Sequence, residues 1–148
     1  MEIAILGLGC FWGPEIKFSK LDGVIKTEVG YCGGHNAETN YKEVCTGTTN
    51  HAEVVKLDFD PKVISYEKIL EYFFEIHDPT TLNSQGPDFG TQYRSEIFYE
   101  DDIQKAEAKE ILEIFNKELN GKIQTNISRL KNYCKAEEYH QKYLEKNR

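Results

Sequence analysis

The residue in this chain best placed to attack an electrophile is Cys10. It lies in "GLGCFWGPE", residues 7 to 15, between a glycine and two large aromatics. An apolar run ends just before it, and helix-start signals begin just after it. A thiol at a helix N-terminus meets the positive end of the dipole and free N–H groups. The position therefore predicts a thiol pKa below the ordinary value of about 8.5, with more thiolate at neutral pH. Most cysteines are inert, buried small hydrophobes. Cys10 departs from that pattern in its flanking glycines and in Phe11 and Trp12, the latter the only tryptophan present. Two adjacent aromatics at a helix start do not easily enter one core together, so they predict an aromatic wall beside the thiol.

The acid that such a thiol would need comes from elsewhere. Glu53, in "HAEVV", shares a strand face with Val55 and Leu57. Burying a carboxylate costs several kcal/mol unless it is protonated or paired. Burial also raises a glutamate's pKa, which is how a general acid is made at neutral pH. The spacing leaves two readings open, a buried acid or a strand-end glutamate in water. Tyr41, Asp88 and Tyr93 lie in or beside two long loops, and each alone reads as a surface or packing residue. His35, His51, His77 and His140 show no metal-ligand spacing, and no metal or other cofactor is expected. His77 reads as a residue favoured by a helix C-terminal dipole, and His140 as part of a polar helix. Cys10, Cys32, Cys45 and Cys134 are scattered, without a C-x-x-C pair, and read as free thiols.

The elements that must position these groups follow from periodicity. "EIAILGL" is a short apolar run closed by glycine, hence a strand. "GPEIKFSKLDG" predicts a helix, with Pro14 in its first turn, Glu15 complementing its positive end and Asp22-Gly23 stopping it. "VIKTEVGY" and "HAEVVKLDFD" alternate as strands do. A loop over residues 36–50 lies between them, long enough to suggest a functional role. "SYEKILEYFFEIH" predicts a helix capped by Ser65, with the stripe Ile69, Leu70, Phe73 and Phe74. After the loop "TTLNSQGPDFG" come the strand "QYRSEIFYE" and a charged amphipathic helix closed by Asn120-Gly121. The strand "IQTNISRL" and a last helix, "AEEYHQKYLEK", complete the chain. The order predicts an α+β fold: a ferredoxin-like split β-α-β two-layer sandwich, its antiparallel or mixed sheet carrying packed helices.

Composition narrows the function. The chain has 148 residues, consistent with one domain over 1–148. Its net charge of −7 argues against nucleic-acid binding, which needs a basic patch, and weakly against an anionic membrane surface. No run approaches the ~18 apolar residues of a membrane span, and "MEIAILGLG" lacks the basic start of a signal peptide. A cytoplasmic protein is expected.

Taken together, these segments resemble a known family. "GCFWGPE" is similar to the G-C-F-W-x-x-E signature of the A-type peptide methionine sulfoxide reductases. "GYCGG", "YKEVCTGTTNHAEVV", "HDPTTLNSQG", "DFGTQYRS" and "AEEYHQKYL" resemble the family's further motifs, in order, from about Gly7 to Leu144. Asn50 stands where glycine is usual, and Pro87 where asparagine is usual. The resemblance implies reduction of the S epimer of methionine sulfoxide, free or in proteins. It implies that Cys10 attacks the sulfoxide sulfur and that Glu53 protonates the oxygen. Tyr41 and Tyr93 would bind that oxygen, Phe11 and Trp12 would form the wall for the S-methyl group, and Asp88 would orient the polar side. Cys10 would be left as a sulfenic acid, to be reduced by thioredoxin, glutaredoxin or a small thiol.

Two other classes of function are separable. A ferredoxin-like metal-binding module needs a second cysteine at the first strand–helix junction, where this chain has Phe11, Trp12 and Gly13. A cysteine hydrolase needs a histidine base beside the thiol. The resemblance also raises the question of a resolving cysteine, which many relatives carry in a glycine-rich tail after the last helix. The sequence reads on only to "YLEKNR", and within it Cys32 and Cys134 are the candidates. The expectation is a one-cysteine cycle with an external thiol.

Overall fold

The computed structural model describes residues 1–146. Strand β1 (Glu2–Leu8) leads to helix α1 (Trp12–Ser19), then β2 (Val24–Cys32) and a short helix α2 (Tyr41–Cys45). Strand β3 (Ala52–Phe59) and helix α3 (Tyr66–Glu75) follow, then the two-residue strands β4 (Ser84–Gln85) and β5 (Asp88–Phe89). A 3₁₀ turn at Thr91–Tyr93 precedes β6 (Ser95–Tyr99), α4 (Asp102–Glu118), β7 (Asn126–Arg129) and β8 (Cys134–Lys135). A second 3₁₀ turn, Glu138–His140, and the one-turn α5 (Tyr143–Lys146) end the described chain.

The main sheet has six strands in the order β7-β6-β1-β3-β2-β8. It is mixed: β7 runs parallel to β6, and the other neighbours are antiparallel. The expected α+β class is borne out. Strand alternation divides the side chains between two faces. Ala4, Leu6, Leu8, Val29, Tyr31, Val55 and Leu57 join the large core under the helices, where Phe18 of α1 and Ile69, Leu70 and Phe73 of α3 meet them. Each Leu, Val, Ile or Phe side chain among them contributes roughly 1.5–3 kcal/mol by leaving water. Ile5, Cys32, Ala52, Val54 and Phe98 face the other way and are covered by Leu130 and Tyr133. No helix among the described residues is long and apolar enough to cross a membrane.

Caps appear where the sequence predicts them. The Ser65 side chain accepts from Lys68 N, and α4 ends before Asn120 and Gly121, both at positive φ. Three expectations need correction. The 36–50 loop contains α2, started by Asn40, whose side chain accepts from Glu43 N. The last helix is not continuous. Gln141 is extended, and its side-chain amide bonds both Val29 N and Val29 O, as a paired strand would. Lys142 then takes a φ of 52°, and its N–H goes to Glu15 Oε1. These tertiary bonds replace the helical ones, so periodicity alone misreads the segment. Glu15 likewise does more than complement a dipole: it is buried and also accepts from Thr27 Oγ1. Finally, His77 is not a dipole-stabilised cation. Burial lowers its pKa to about 4, and it bonds Phe73 O and Ser95 Oγ as a neutral ring.

Candidate active site

Five elements converge at the C-terminal end of β1. The chain leaves β1 through Gly9, whose φ of 98° favours glycine and whose added Cβ would lie 2.8 Å from the Gln85 side chain. Cys10 follows, half-buried, one residue before the Phe11 N-cap of α1. Phe11 is buried in the core and Trp12 only partly so, lying against the Tyr143 ring with centroids 3.8 Å apart and planes 10° apart. The two aromatics differ in burial, as adjacent positions at a helix start require.

Glu53 comes from the start of β3, on the same face as Val55 and Leu57. It is 1% exposed, which decides between the two readings of the sequence in favour of a buried acid. Its Oε1 accepts from Phe11 N at 3.3 Å, while Oε2 has no hydrogen-bond partner among the described residues. Burial lifts its pKa from 4.5 to about 8, against the Phe11 N–H and helped by the charge of Asp88. The group is therefore mostly a neutral carboxylic acid at pH 7, with one oxygen unengaged.

The thiol behaves contrary to the helix-dipole expectation. Burial raises Cys10 to about 11; the Trp12 backbone N–H lowers it, and the charges of Glu53 and Asp88 raise it further. One N–H at a short helix does not offset desolvation beside two carboxyl groups. The sequence shows the helix start but not the burial.

Asp88, on β5, is half-buried, and its charge acts on both Cys10 and Glu53. Tyr93, in the 3₁₀ turn, is pushed up to about 12 by burial and by the charges of Glu53, Cys45, Asp88 and Cys10. Tyr41, at the start of α2, is hydrogen-bonded to Cys45, which raises its pKa further above the ordinary value than burial does. All five predicted polar and nucleophilic residues are thus brought into one electrostatically coupled cluster, with Phe11 and Trp12 beside it.

The sequence reading missed the residues that hold this cluster. Buried Arg94 bonds Glu96 Oε1 at 2.5 Å, Thr91 O at 2.8 Å and Asn50 O at 3.1 Å, tying the Tyr93 turn to the loop before β3. Asn50 has a φ of 58°, a conformation asparagine tolerates better than other side-chain-bearing residues, which explains how it replaces the expected glycine. Glu137 accepts from Tyr31 OH and from Tyr41 N. His140, expected in a polar helix, is buried among aromatic rings. Tyr139 and Tyr143 on either side of His140 are a trace of this in the sequence.

The remaining cysteines separate by face. Cys32 is fully buried on the face of the sheet away from Tyr31 and Phe11, and its Sγ donates to Lys131 O. Cys134 is half-buried, paired in register with Tyr31, and contacts Thr39 O. All four cysteines are free. Among the described residues, no group of three or more His, Cys, Asp or Glu is arranged to hold a metal ion.

Comparisons with known proteins place the chain in a family. The family model described as peptide methionine sulfoxide reductase matches residues 2–148. The chain is 75% identical over 146 residues to the peptide methionine sulfoxide reductase MsrA of Pelagibacter ubique, covering 99% of each chain. It is similar to the crystal structure of Mxr1 from Saccharomyces cerevisiae in reduced form, with a TM-score of 0.95 and 44% identity over 99% of this chain and 85% of that one. It also resembles Mxr1 in a crystal structure of its complex with Trx2, with a TM-score of 0.69 and 29% identity over 96% of this chain and 84% of that one.

Proposed function

Because the chain belongs to the peptide methionine sulfoxide reductase family and so reduces methionine sulfoxide at the expense of thiols, we propose that Cys10 and Glu53 perform the oxygen transfer. The observation that carries this is the buried Glu53 Oε2, neutral at pH 7, unpartnered and electrostatically coupled to Cys10. A sulfoxide sulfur becomes a good electrophile when its oxygen is protonated. Glu53 gives its proton to that oxygen. The Cys10 sulfur attacks the substrate sulfur, and its own proton passes to the carboxylate that Glu53 has just become. The hydroxyl moves from the substrate sulfur to Cys10, breaking the S–O bond; the S–S bond formed in the attack breaks at the same time, and methionine leaves. The substrate sulfur gains two electrons and Cys10 loses two, giving Cys–SOH.

This order gives the high resting pKa of Cys10 a role. A thiol at about 11 holds its proton until an acceptor appears, and the discharged Glu53 is that acceptor. Tyr41 and Tyr93 donate to the sulfoxide oxygen, Asp88 orients the polar side, and Phe11 and Trp12 receive the S-methyl group, for which the ring face is suited. The sulfenic acid is reduced by a thiol. One thiol forms a mixed disulfide with loss of water, and a second releases Cys10. Mxr1 has been crystallised in a complex with Trx2, and thioredoxin, glutaredoxin or a small thiol supplies these thiols here. The substrate is the S epimer, free or in proteins, and the role is repair of oxidised protein.

We read residues 1–148 as one catalytic domain, Asn147 and Arg148 lying outside the described residues. Its core β1-α1-β2-β3-α3-β6, with β6-β1-β3-β2 as neighbours in the sheet, supports the split β-α-β ferredoxin-like reading. The scattered thiols of the sequence suit the cytoplasm. The test is a single turnover of racemic methionine sulfoxide without reductant, followed by dimedone and peptide mass spectrometry. Loss of the S epimer with the label on Cys10 is expected. Consumption of the R epimer, or a label on another residue, overturns the assignment.

A further inference from the structure

The two-residue strands β4 and β5 form a hairpin with two unlike faces. The register pairs Gln85 with Asp88 and Ser84 with Phe89, and strand alternation sends the two pairs to opposite sides. The Gln85–Asp88 face belongs to the site. A Cβ added to Gly9, next to Cys10, would lie 2.8 Å from the Gln85 side chain, and the charge of Asp88 acts on Cys10 and Glu53. The other face turns outward. Phe89 stands there 77% exposed and joins neither apolar core. Leu82, 66% exposed, lies at the same end of the hairpin, because Gly90 N–H donates to Asn83 O.

This apolar rim is braced. Gly86, at a φ of 56°, and Pro87, with its fixed φ, make the turn between the strands. The Gln85 amide takes the N–H of Asp78 and donates to Asp78 O, and Thr81 Oγ1 donates to Ser84 O. A phenyl ring held in water on such a hairpin offers apolar surface to a ligand with little backbone left to order. The reaction says which ligand. Methionine sulfoxide in a polypeptide reaches the half-buried Cys10 by its side chain, so the residues flanking it lie over the rim of the site. An extended chain advances about 3.3 Å per residue and one β layer is about 10 Å thick, so the outer face is about three residues away. We propose that Phe89, with Leu82, is a docking site for an apolar residue of the substrate polypeptide within three positions of the methionine sulfoxide. The proposal rests on Cys10 as the nucleophile and narrows the protein substrate to oxidised methionines in apolar stretches. Such stretches come from protein interiors and are uncovered on unfolding.

The test uses the full chain and three substrates. One is free methionine sulfoxide. The others are lysine-ended peptides, alike except for leucine or serine at the second and third positions on each side of the methionine sulfoxide. Each is reduced with dithiothreitol and with thioredoxin, and kcat/KM for the sulfoxide is read. Covering about 55 Å² of apolar ring is worth about tenfold in affinity. The wild type should therefore prefer the leucine peptide by about tenfold. Phe89→Ala should abolish that preference through KM and leave the serine peptide and the free amino acid unchanged. The ring is exposed, so its loss removes no core contact. An equal leucine-to-serine ratio in the wild type and Phe89→Ala overturns the proposal. So does an equal loss on all three substrates, which would put the effect on Asp88. A loss confined to thioredoxin-driven turnover overturns it too, and would make the hairpin a dock for the reductant. Cys10→Ser with free methionine sulfoxide tests the nucleophile by itself, so the two readings fail separately.

Discussion

Replacing Glu53 by glutamine separates proton transfer from everything else this residue does. Glutamine keeps the shape and still offers an oxygen to Phe11 N, so the local backbone bond survives. It can donate a hydrogen bond to a sulfoxide but cannot give up a proton. With a pKa of about 8, about nine tenths of Glu53 is protonated at pH 7, so nearly all the protein loses its acid on substitution. Loss of general acid catalysis costs roughly 10²–10⁴ in rate, and KM should change little. The same change should act oppositely on the thiol. Ionised Glu53 raises Cys10, so at pH 9 the glutamine variant should be alkylated faster by iodoacetamide than the wild type. Stability gives a third readout. The folded-state pKa lies above the unfolded value, so the stabilisation is full below pH 4.5 and is lost as pH rises through about 8. At 1.36 kcal/mol per pH unit that is about 3–5 kcal/mol, which the glutamine variant does not lose. Rapid-quench single turnovers, alkylation rates and urea unfolding at pH 6 and pH 9, which spans about 2.7 kcal/mol of that loss, measure the three. An unchanged single-turnover rate at pH 7 would refute the acid role, whatever the other two show.

Other outcomes follow from the same geometry. Cys10→Ser should abolish single-turnover reduction while leaving cooperative unfolding intact, because the half-buried thiol carries no structural bond that a hydroxyl cannot replace; residual turnover would move the nucleophile elsewhere. One turnover should consume one thiol, and Cys32→Ser should not alter that count, since Cys32 faces the opposite side of the sheet; a Cys10–Cys32 or Cys10–Cys134 disulfide in the peptide map would contradict it. Hydrogen peroxide should oxidise Cys10 at pH 7 about 10²-fold more slowly than a free cysteine of pKa about 8.5. Equal rates would mean that the resting thiol is far more ionised than its burial allows.

Much of the fold was legible because its signals are local. The alternation of β1, β2 and β3 and the stripe of α3 are short-range patterns, and Ser65 and Asn120-Gly121 mark boundaries that need no distant partner. Glu53 was legible for a related reason: a carboxylate among Val55 and Leu57 is conspicuous in a period of two. Its burial was not, because it depends on what covers that face. The last segment was misread because its conformation is set from far away. Gln141 imitates a strand for Val29, Glu15 takes the N–H of Lys142, and His140 answers Trp12. None of these pairings leaves a periodic mark. The thiol's pKa failed on the same ground. Helix position is visible in sequence, but desolvation and the approach of Glu53 and Asp88 are properties of the assembled site.

The two perturbed groups make chemical sense only as a pair. A thiolate standing ready at rest would react with any soft electrophile or peroxide that reached the half-buried Cys10, since reactivity follows thiolate character and exposure. Holding the thiol near 11 suppresses that reaction at the cost of the thiolate fraction. The cost is recovered only when a proton acceptor appears beside the sulfur. Glu53 is a poor acceptor while protonated, and a sulfoxide oxygen is what takes its proton. In the proposed mechanism the substrate therefore generates the base that activates the nucleophile. An apolar sulfide brings no oxygen to protonate, so it leaves Glu53 neutral and Cys10 a thiol. On the proposed assignment, selectivity for the oxidised side chain is built into the proton inventory of the site, and a methyl wall of Phe11 and Trp12 would have only to decide which sulfoxide sits in reach.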